Sequence, residues 1–372
     1  MNILFLTNHL NIGGITSYLL TIIKGLKLRR HSVYIAANFG EGAISFTEQG
    51  AIFIPIPINT KCEVNLLKLG RSFWILRRFI RQYNIEVIHS NTRVTQVLGY
   101  LLSKRFKVAH VSTWHGFFKN RLGRRLFPCW PDAVIAVSEA VKKHLIKEMS
   151  ASEDRVYLIY NAIDMERIRL KENVSQCKAK KQLGLMEGPV IGIIGRLSEV
   201  KGHIYLLEAF GQIQKEFPEA QLLIVGEGRI RPLLEQKVET LGLSTRVKFL
   251  GNIRDIWKVF YCIDVFVMPS LKEGLGLSLM EAMAWAKPVI GSDVGGIRNL
   301  IKNKENGLLV QPQNSQALAE ALQYILTHPV EAAIMGRNAQ KFITDNFSTD
   351  KMVEETEKVY RLCLEKKRNF SF

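Results

Sequence analysis

Short apolar runs recur along this chain, and longer stretches with helical spacing separate them. In the first half the runs are Ile3–Leu6, Val33–Ala36, Ile52–Ile56, Val87–His89, Val108–Thr113, Ala133–Val137 and Val156–Ile159. In the second half they are Val190–Ile194, Leu222–Val225, Val247–Leu250, Val265–Met268 and Val289–Gly291. Helical periodicity falls between them, for example over Ser17–Leu26, Val141–Met149, Ile204–Phe217 and Leu318–Leu326. Runs that are apolar throughout, with no polar alternation, predict strands covered on both faces, which is the habit of parallel sheets flanked by helices. The pattern occurs twice. Asp164–Gly188 lies between the two sets, polar and without a strand signal, and is expected to be the linker. The expected organisation is α/β with two doubly wound, Rossmann-like domains, 1–170 and 171–350. The last helical stretch, about Lys351–Lys367 within 351–372, is expected to pack back on the first domain. Two such sheets facing one another leave a cleft at their strand ends, where open α/β sheets bind ligands.

Composition sharpens this. A chain of 372 residues is too long for one ordinary core and suits two. No apolar run is long enough for a transmembrane helix. The opening MNILFLTNHLNIGG has no basic stretch before its apolar residues, and is read as a first strand, not a signal peptide. Cys62, Cys129, Cys177, Cys262 and Cys363 are scattered and form no CxxC pair, which argues against disulfides or zinc and fits a reducing cytoplasm. The net charge of +17 is uneven: residues 1–172 carry 25 Lys+Arg against 12 Asp+Glu, and residues 173–372 carry 26 against 22. The first half is therefore expected to meet an anionic partner, whether a membrane face, a lipid-linked phosphate or nucleic acid.

Several motifs carry candidate chemistry. SLKEGLGLSLMEAMA, residues 270–284, follows the run Val265–Met268 and turns at its glycines into a helix expected to start near Ser278. Backbone N–H groups over Gly274–Leu277 at that start form an anion site. Glu273 and Glu281 stand on either side of it, and carboxylates so placed can accept hydrogen bonds from vicinal sugar hydroxyls. The plain alternative is a helix with an acidic first turn that suits its dipole. GRLSEVKGH, residues 195–203, places Arg196 and Lys201 just past a strand end, a spacing that suits a diphosphate, although two solvated surface cations would look the same. NIGGITSYL, residues 11–19, brings Gly13 and Gly14 to the start of a helix; it lacks the full GxGxxG and its partner acid, which counts against a nicotinamide dinucleotide. His115 in STWHGF ends a buried strand and either meets a sugar or is structural; His89 in VIHSN is structural or on the acceptor side. Two basic stretches interleaved with aromatics, residues 66–83 and 117–127, are candidates for contact with anionic lipid, or else ordinary surface helices.

Taken together, these motifs resemble the GT-B glycosyltransferases of family four, which are retaining and use nucleotide sugars. The resemblance runs nearly the full length. It is carried by GGITSYL (13–19), HSN (89–91), WHG (114–116), VSEAV (137–141), YNAID (160–164), GRLSEVKG (195–202), VGEG (225–228), PSLKEGLGLSLMEAMA from 269 and KPVIGSDVGG to 296. It implies that Arg196 and Lys201 hold the donor diphosphate, helped by the amides of Gly276 and Leu277. It further implies that Glu281 binds the ribose, Glu273 touches the hexose near its reacting face, Gly14 packs against the phosphates and His115 sits near the sugar. The implied reaction transfers a hexosyl-type group, from UDP more than GDP, to a lipid-linked or polysaccharide acceptor at the inner membrane face, as in cell-envelope glycan synthesis. No metal or other cofactor is expected. The chain departs from many relatives at Ala286 and Ala162, where glycine is common, and at Asn299, where glutamate is common. The two alanines are expected to be tolerated so long as their φ stays negative, and Asn299 to alter a cleft contact. The competing readings are a sugar-nucleotide epimerase on the same fold, a phosphorylase, for which no pyridoxal lysine motif stands out, a glycosidase, and a nucleic-acid binder argued from charge alone, for which no module is present.

Overall fold

The computed structural model describes residues 1–58, 65–120, 122–166, 176–253 and 256–369. The apolar runs become strands of two parallel sheets. The first holds β1 (Asn2–His9), β2 (Ser32–Asn38), β3 (Ile52–Pro55), β4 (Val87–Ser90), β5 (Ala109–Trp114), β6 (Ala133–Ala136) and β7 (Val156–Leu158), in the order β3-β2-β1-β4-β5-β6-β7. The second holds β8 (Val190–Ile194), β9 (Gln221–Val225), β10 (Val247–Leu250), β11 (Val265–Met268), β12 (Val289–Ser292) and β13 (Leu308–Val310), in the order β10-β9-β8-β11-β12-β13. Central strands such as β4 and β11 are buried along their whole length, which is why their sequences show no polar alternation. Each order reverses direction once, between β1 and β4 and between β8 and β11, and such switch points open a crevice at the carboxyl ends of the strands.

The chain divides into two compact units, Met1–Ala162 with Thr349–Phe372, and Ile163–Ser348. The final helix, Thr349–Asn369, is part of the first unit. Its Glu357 takes a bond from Arg29 at 2.7 Å and faces His31, while its Tyr360 is wholly buried.

The polar stretch Asp164–Gly188 is not all linker. Residues 167–175 lie outside the described residues, but Gln176–Gln182 forms a helix of the second unit. Lys180 anchors it, with Nζ 3.0 Å from Asp264 Oδ2 and 2.9 Å from the Gly188 carbonyl, and Ala179 is buried beneath it. A helix held by an ion pair and one small apolar residue has no periodic apolar stripe to announce it. Among the described residues no helix is long and apolar enough to cross a membrane.

Candidate functional site

In the second unit the loops after β8 and β11, the two strands at the switch point, are bonded to each other. Leu271 N–H donates to the Val200 carbonyl at 2.8 Å. Gly202 fits because it has φ 70° and because a Cβ there would lie 1.9 Å from the Pro269 carbonyl oxygen. The turn after β11 then closes on Gly276, whose φ of 97° starts the helix Leu277–Ala284. Ser278 Oγ ties this helix to the end of β8 through the Ile194 carbonyl at 2.8 Å.

These constraints bring Lys201 and Glu273 together from loops 72 residues apart, Nζ to Oε2 2.5 Å, with Ser270 Oγ donating to the same carboxylate oxygen at 3.3 Å. The Glu273 backbone carbonyl is held in turn by Gly296 N–H at 3.0 Å. Arg196 lies in the same loop as Lys201, exposed, and among the described residues no side chain pairs with it. Glu281 is part-exposed on the face of the helix shared with Leu277 and Ser278; the residues between are buried. The second unit therefore gathers Arg196, Lys201, Glu273 and the amides of Gly276 and Leu277 at the carboxyl edge of β8 and β11. Two cations and a helix start at such a place suit a phosphate-bearing ligand.

One neighbour was not singled out in the sequence. His203 opens the next helix, is buried, and neither ring nitrogen has a partner within hydrogen-bond reach; burial and then the Lys201 charge push its pKa down to about 4.

The first unit carries the other two candidates. Gly14 begins the helix Gly14–Leu28 after β1 and is exposed. One turn on, the buried Tyr18 packs edge-on against the His115 ring, centroids 4.8 Å apart, beyond the end of β5. His115 Nε2 lies 3.3 Å from Asn91 Oδ1, and Asn91 Nδ2 points to the carbonyls of Leu6 and His89, so the oxygen faces the histidine and Nε2 is the protonated nitrogen. Loss of hydration holds the His115 pKa down to about 3, so the ring is neutral. A neutral imidazole can hydrogen-bond a hydroxyl; it brings no positive charge. His89 resolves as structural. It is fully buried, with Nδ1 2.5 Å from Tyr360 Oη and Nε2 2.7 Å from Thr113 Oγ1, which itself lies 3.2 Å from Tyr18 Oη. A buried polar chain thus runs from the last helix through His89 and Thr113 to the tyrosine that packs on His115. The sequence showed each member and gave no sign that they meet.

The departures from the family pattern divide. Ala162 avoids positive φ, so the condition for its tolerance is met. Ala286 does not: its φ is 53°, so the condition for its easy tolerance fails there. It follows the helix Leu277–Ala284 as the left-handed residue of its C-terminal cap, with Ala286 N–H bonded to Met283 O at 2.9 Å and Lys287 N–H to Ala282 O at 3.1 Å. Asp293, isolated in sequence, pairs with Arg298. Asn299 is part-exposed in the short helix Ile297–Leu300.

Comparison with known proteins agrees with this arrangement. Residues 12–167 match the model of Glycosyltransferase Family 4, and residues 175–342 match that of Glycosyl transferases group 1. An uncharacterized glycosyltransferase of Methanocaldococcus jannaschii is 31% identical over 75% of this chain and 76% of its own. An Escherichia coli enzyme named UDP-Gal:alpha-D-GlcNAc-diphosphoundecaprenol alpha-1,3-galactosyltransferase is 28% identical over 83% of each chain. In fold the chain is similar to Anabaena HepE, solved with UDP and glucose, at a TM-score of 0.85 over 96% of this chain and 98% of that one, with 24% identity. With this coverage, this identity and the two doubly wound sheets, the chain belongs to the group 1 glycosyl transferases, family-four-like enzymes of GT-B fold.

Proposed function

We propose that the protein is a retaining, metal-independent hexosyltransferase. It takes its sugar from a UDP-sugar and delivers it to a lipid-linked or polysaccharide acceptor in cell-envelope glycan synthesis, acting peripherally at the cytoplasmic face of the membrane. The observation that carries the donor half is the Lys201–Glu273 pair beside the glycine-led start of Leu277–Ala284, with Arg196 alongside. In this reading Arg196, Lys201 and the amides of Gly276 and Leu277 take up the charge that develops on the departing diphosphate. Glu281 accepts from the ribose hydroxyls, and Glu273 from the hexose. Gly14 and His115 complete the proposed set, one by close backbone approach to phosphate and the other as a neutral partner for a sugar hydroxyl. The anomeric C–O bond to the diphosphate breaks, the acceptor oxygen bonds to the same carbon, and the acceptor's proton leaves on the UDP phosphate. Support for a lipid-linked acceptor comes from the E. coli relative, named for a diphosphoundecaprenol substrate, and from the basic first half of this chain.

A thermal-shift panel with UDP, GDP, ADP and their sugars, on wild type and Glu281→Ala, tests the donor assignment. A ligand at about a hundred times its dissociation constant adds roughly 2.7 kcal/mol to stability. The expected result is a response to UDP and a UDP-sugar that Glu281→Ala loses. A response to GDP alone, or to no nucleotide, overturns the assignment.

A further inference from the structure

The helix Leu66–Gln82 has an ordinary inner face and an unusual outer one. Leu69, Ser72, Leu76 and Ile80 are buried, and the leucines and isoleucine join the core over β1, β2 and β4. The outward stripe is Leu67, Arg71, Trp74, Arg78 and Arg81, all exposed, at the 4-3-4-3 spacing of one helix face. Leu67 keeps 87% of its surface and Trp74 64%, with Leu66 beside them equally open. The guanidinium of Arg77 stacks on the Trp74 ring at 4.5 Å, which leaves the indole amphipathic. The helix holds five cations and no carboxylate.

The neighbouring helix, Arg93–Phe106, continues the pattern. It too has no carboxylate, and it exposes Leu101, Lys104 and Arg105, while Arg81 and Arg105 both approach its Phe106 ring. Between residues 66 and 107 the only acid is Glu86, and it is bonded to the Asn2 amide at 2.8 Å. A solvated helix of a soluble protein ordinarily interleaves acids with its bases, and isolated exposed apolar side chains need no explanation. Here large apolar residues and cations alternate on one face of about 25 Å, and neither helix carries an anion to balance them.

We infer that this two-helix face is a docking surface for an anionic phospholipid bilayer. Trp74, Leu66 and Leu67 enter the headgroup boundary, and Arg71, Arg78, Arg81, Lys104 and Arg105 pair with lipid phosphates. The pairing of opposite charge with apolar insertion favours a lipid surface over an acidic protein, which would leave the leucines unexplained. The inference rests on the proposed lipid-linked acceptor for its purpose, but its test does not depend on transfer. The protein is sedimented with vesicles of phosphatidylcholine, with and without phosphatidylglycerol. Binding is expected only with phosphatidylglycerol and is expected to fall as salt rises. Arg71→Glu with Arg78→Glu is expected to weaken it at least tenfold, and Trp74→Ser severalfold. Brominated acyl chains should quench the wild-type fluorescence more than that of Trp74→Phe. All these positions are exposed, so the variants should keep the wild-type melting temperature and its response to UDP, which separates failure here from failure of the donor assignment. Equal binding to neutral and anionic vesicles, binding untouched by the charge reversals, or no binding at all overturns the inference.

Discussion

Ala286→Gly should stabilise the second unit. Ala286 occupies the left-handed position of a helix cap at φ 53°, where both cap bonds are already formed, so glycine changes neither. The left-handed conformation costs an alanine about 1–2 kcal/mol. Glycine removes that cost but has more conformations to lose on folding, which takes back roughly 0.5–1 kcal/mol. The expected net gain is about 1 kcal/mol, or roughly 2–4 °C in the melting of a domain the size of Ile163–Ser348. Hydrogen exchange of the β11 and β12 amides, or calorimetry, would read it. Ala284→Gly provides the opposite control: the same chemical change inside the helix should cost about 1 kcal/mol. UDP affinity should not move with Ala286→Gly, because the change lies at the far end of the helix from Gly276. A neutral or destabilised Ala286→Gly would falsify the claim that backbone strain at this cap is stored in the second unit.

Three further outcomes follow from the geometry. Glu273→Gln removes the charge that competes for Lys201; the expected result is UDP binding tighter by roughly fivefold, about 1 kcal/mol for a partly screened pair, with transfer lost, and isothermal titration showing weaker UDP binding would count against the pairing as the resting state. Tyr360→Phe strands a buried nitrogen of His89 and should cost the first unit about 1–3 kcal/mol while leaving the second unit's exchange rates unchanged. Burial holds His89 well below its ordinary pKa of 6.5, His110 and His115 down to about 3, and His203 down to about 4. These rings take up protons only on unfolding, so stability should be full above that ordinary value and fall as pH drops below it, by about 1 kcal/mol per ring near pH ~5.5. Three of the four belong to the first unit, which should therefore melt earlier in acid; equal acid sensitivity of both units would contradict their neutral burial.

The strands were legible because parallel, doubly covered strands must be apolar throughout. β13 escaped because its apolar run is only Leu308–Val310, between Gly307 and Gln311, whereas the equally short β7 lies in the longer apolar run Val156–Tyr160. The helix Gln176–Gln182 escaped because charge, not an apolar stripe, holds it down. At the site, residue types and the turns that carry them were readable from local spacing: glycine where φ is positive, cations after a strand end. What spacing could not supply was contact. Lys201 meets Glu273 across 72 residues and His89 meets Tyr360 across 271, and only the sheet order brings either pair together. The sign of φ at Ala286 was not legible for a related reason. Pro288 says that the helix must end before it, but alanine is a good helix former and nothing in the sequence says that the left-handed cap position falls on Ala286.

The return of Thr349–Asn369 to the first unit also orders events during synthesis. A growing chain ordinarily completes its domains from the N-terminus onward. Here Ile163–Ser348 is made in full before the helix that supplies Tyr360 leaves the ribosome. Until then His89 has no Tyr360 and Arg29 no Glu357. The second unit can thus reach its native state while the first is still waiting. A chain that stalls before Tyr360 would carry a finished second unit beside an open, acid-sensitive first one, a species that proteases can tell from the complete protein.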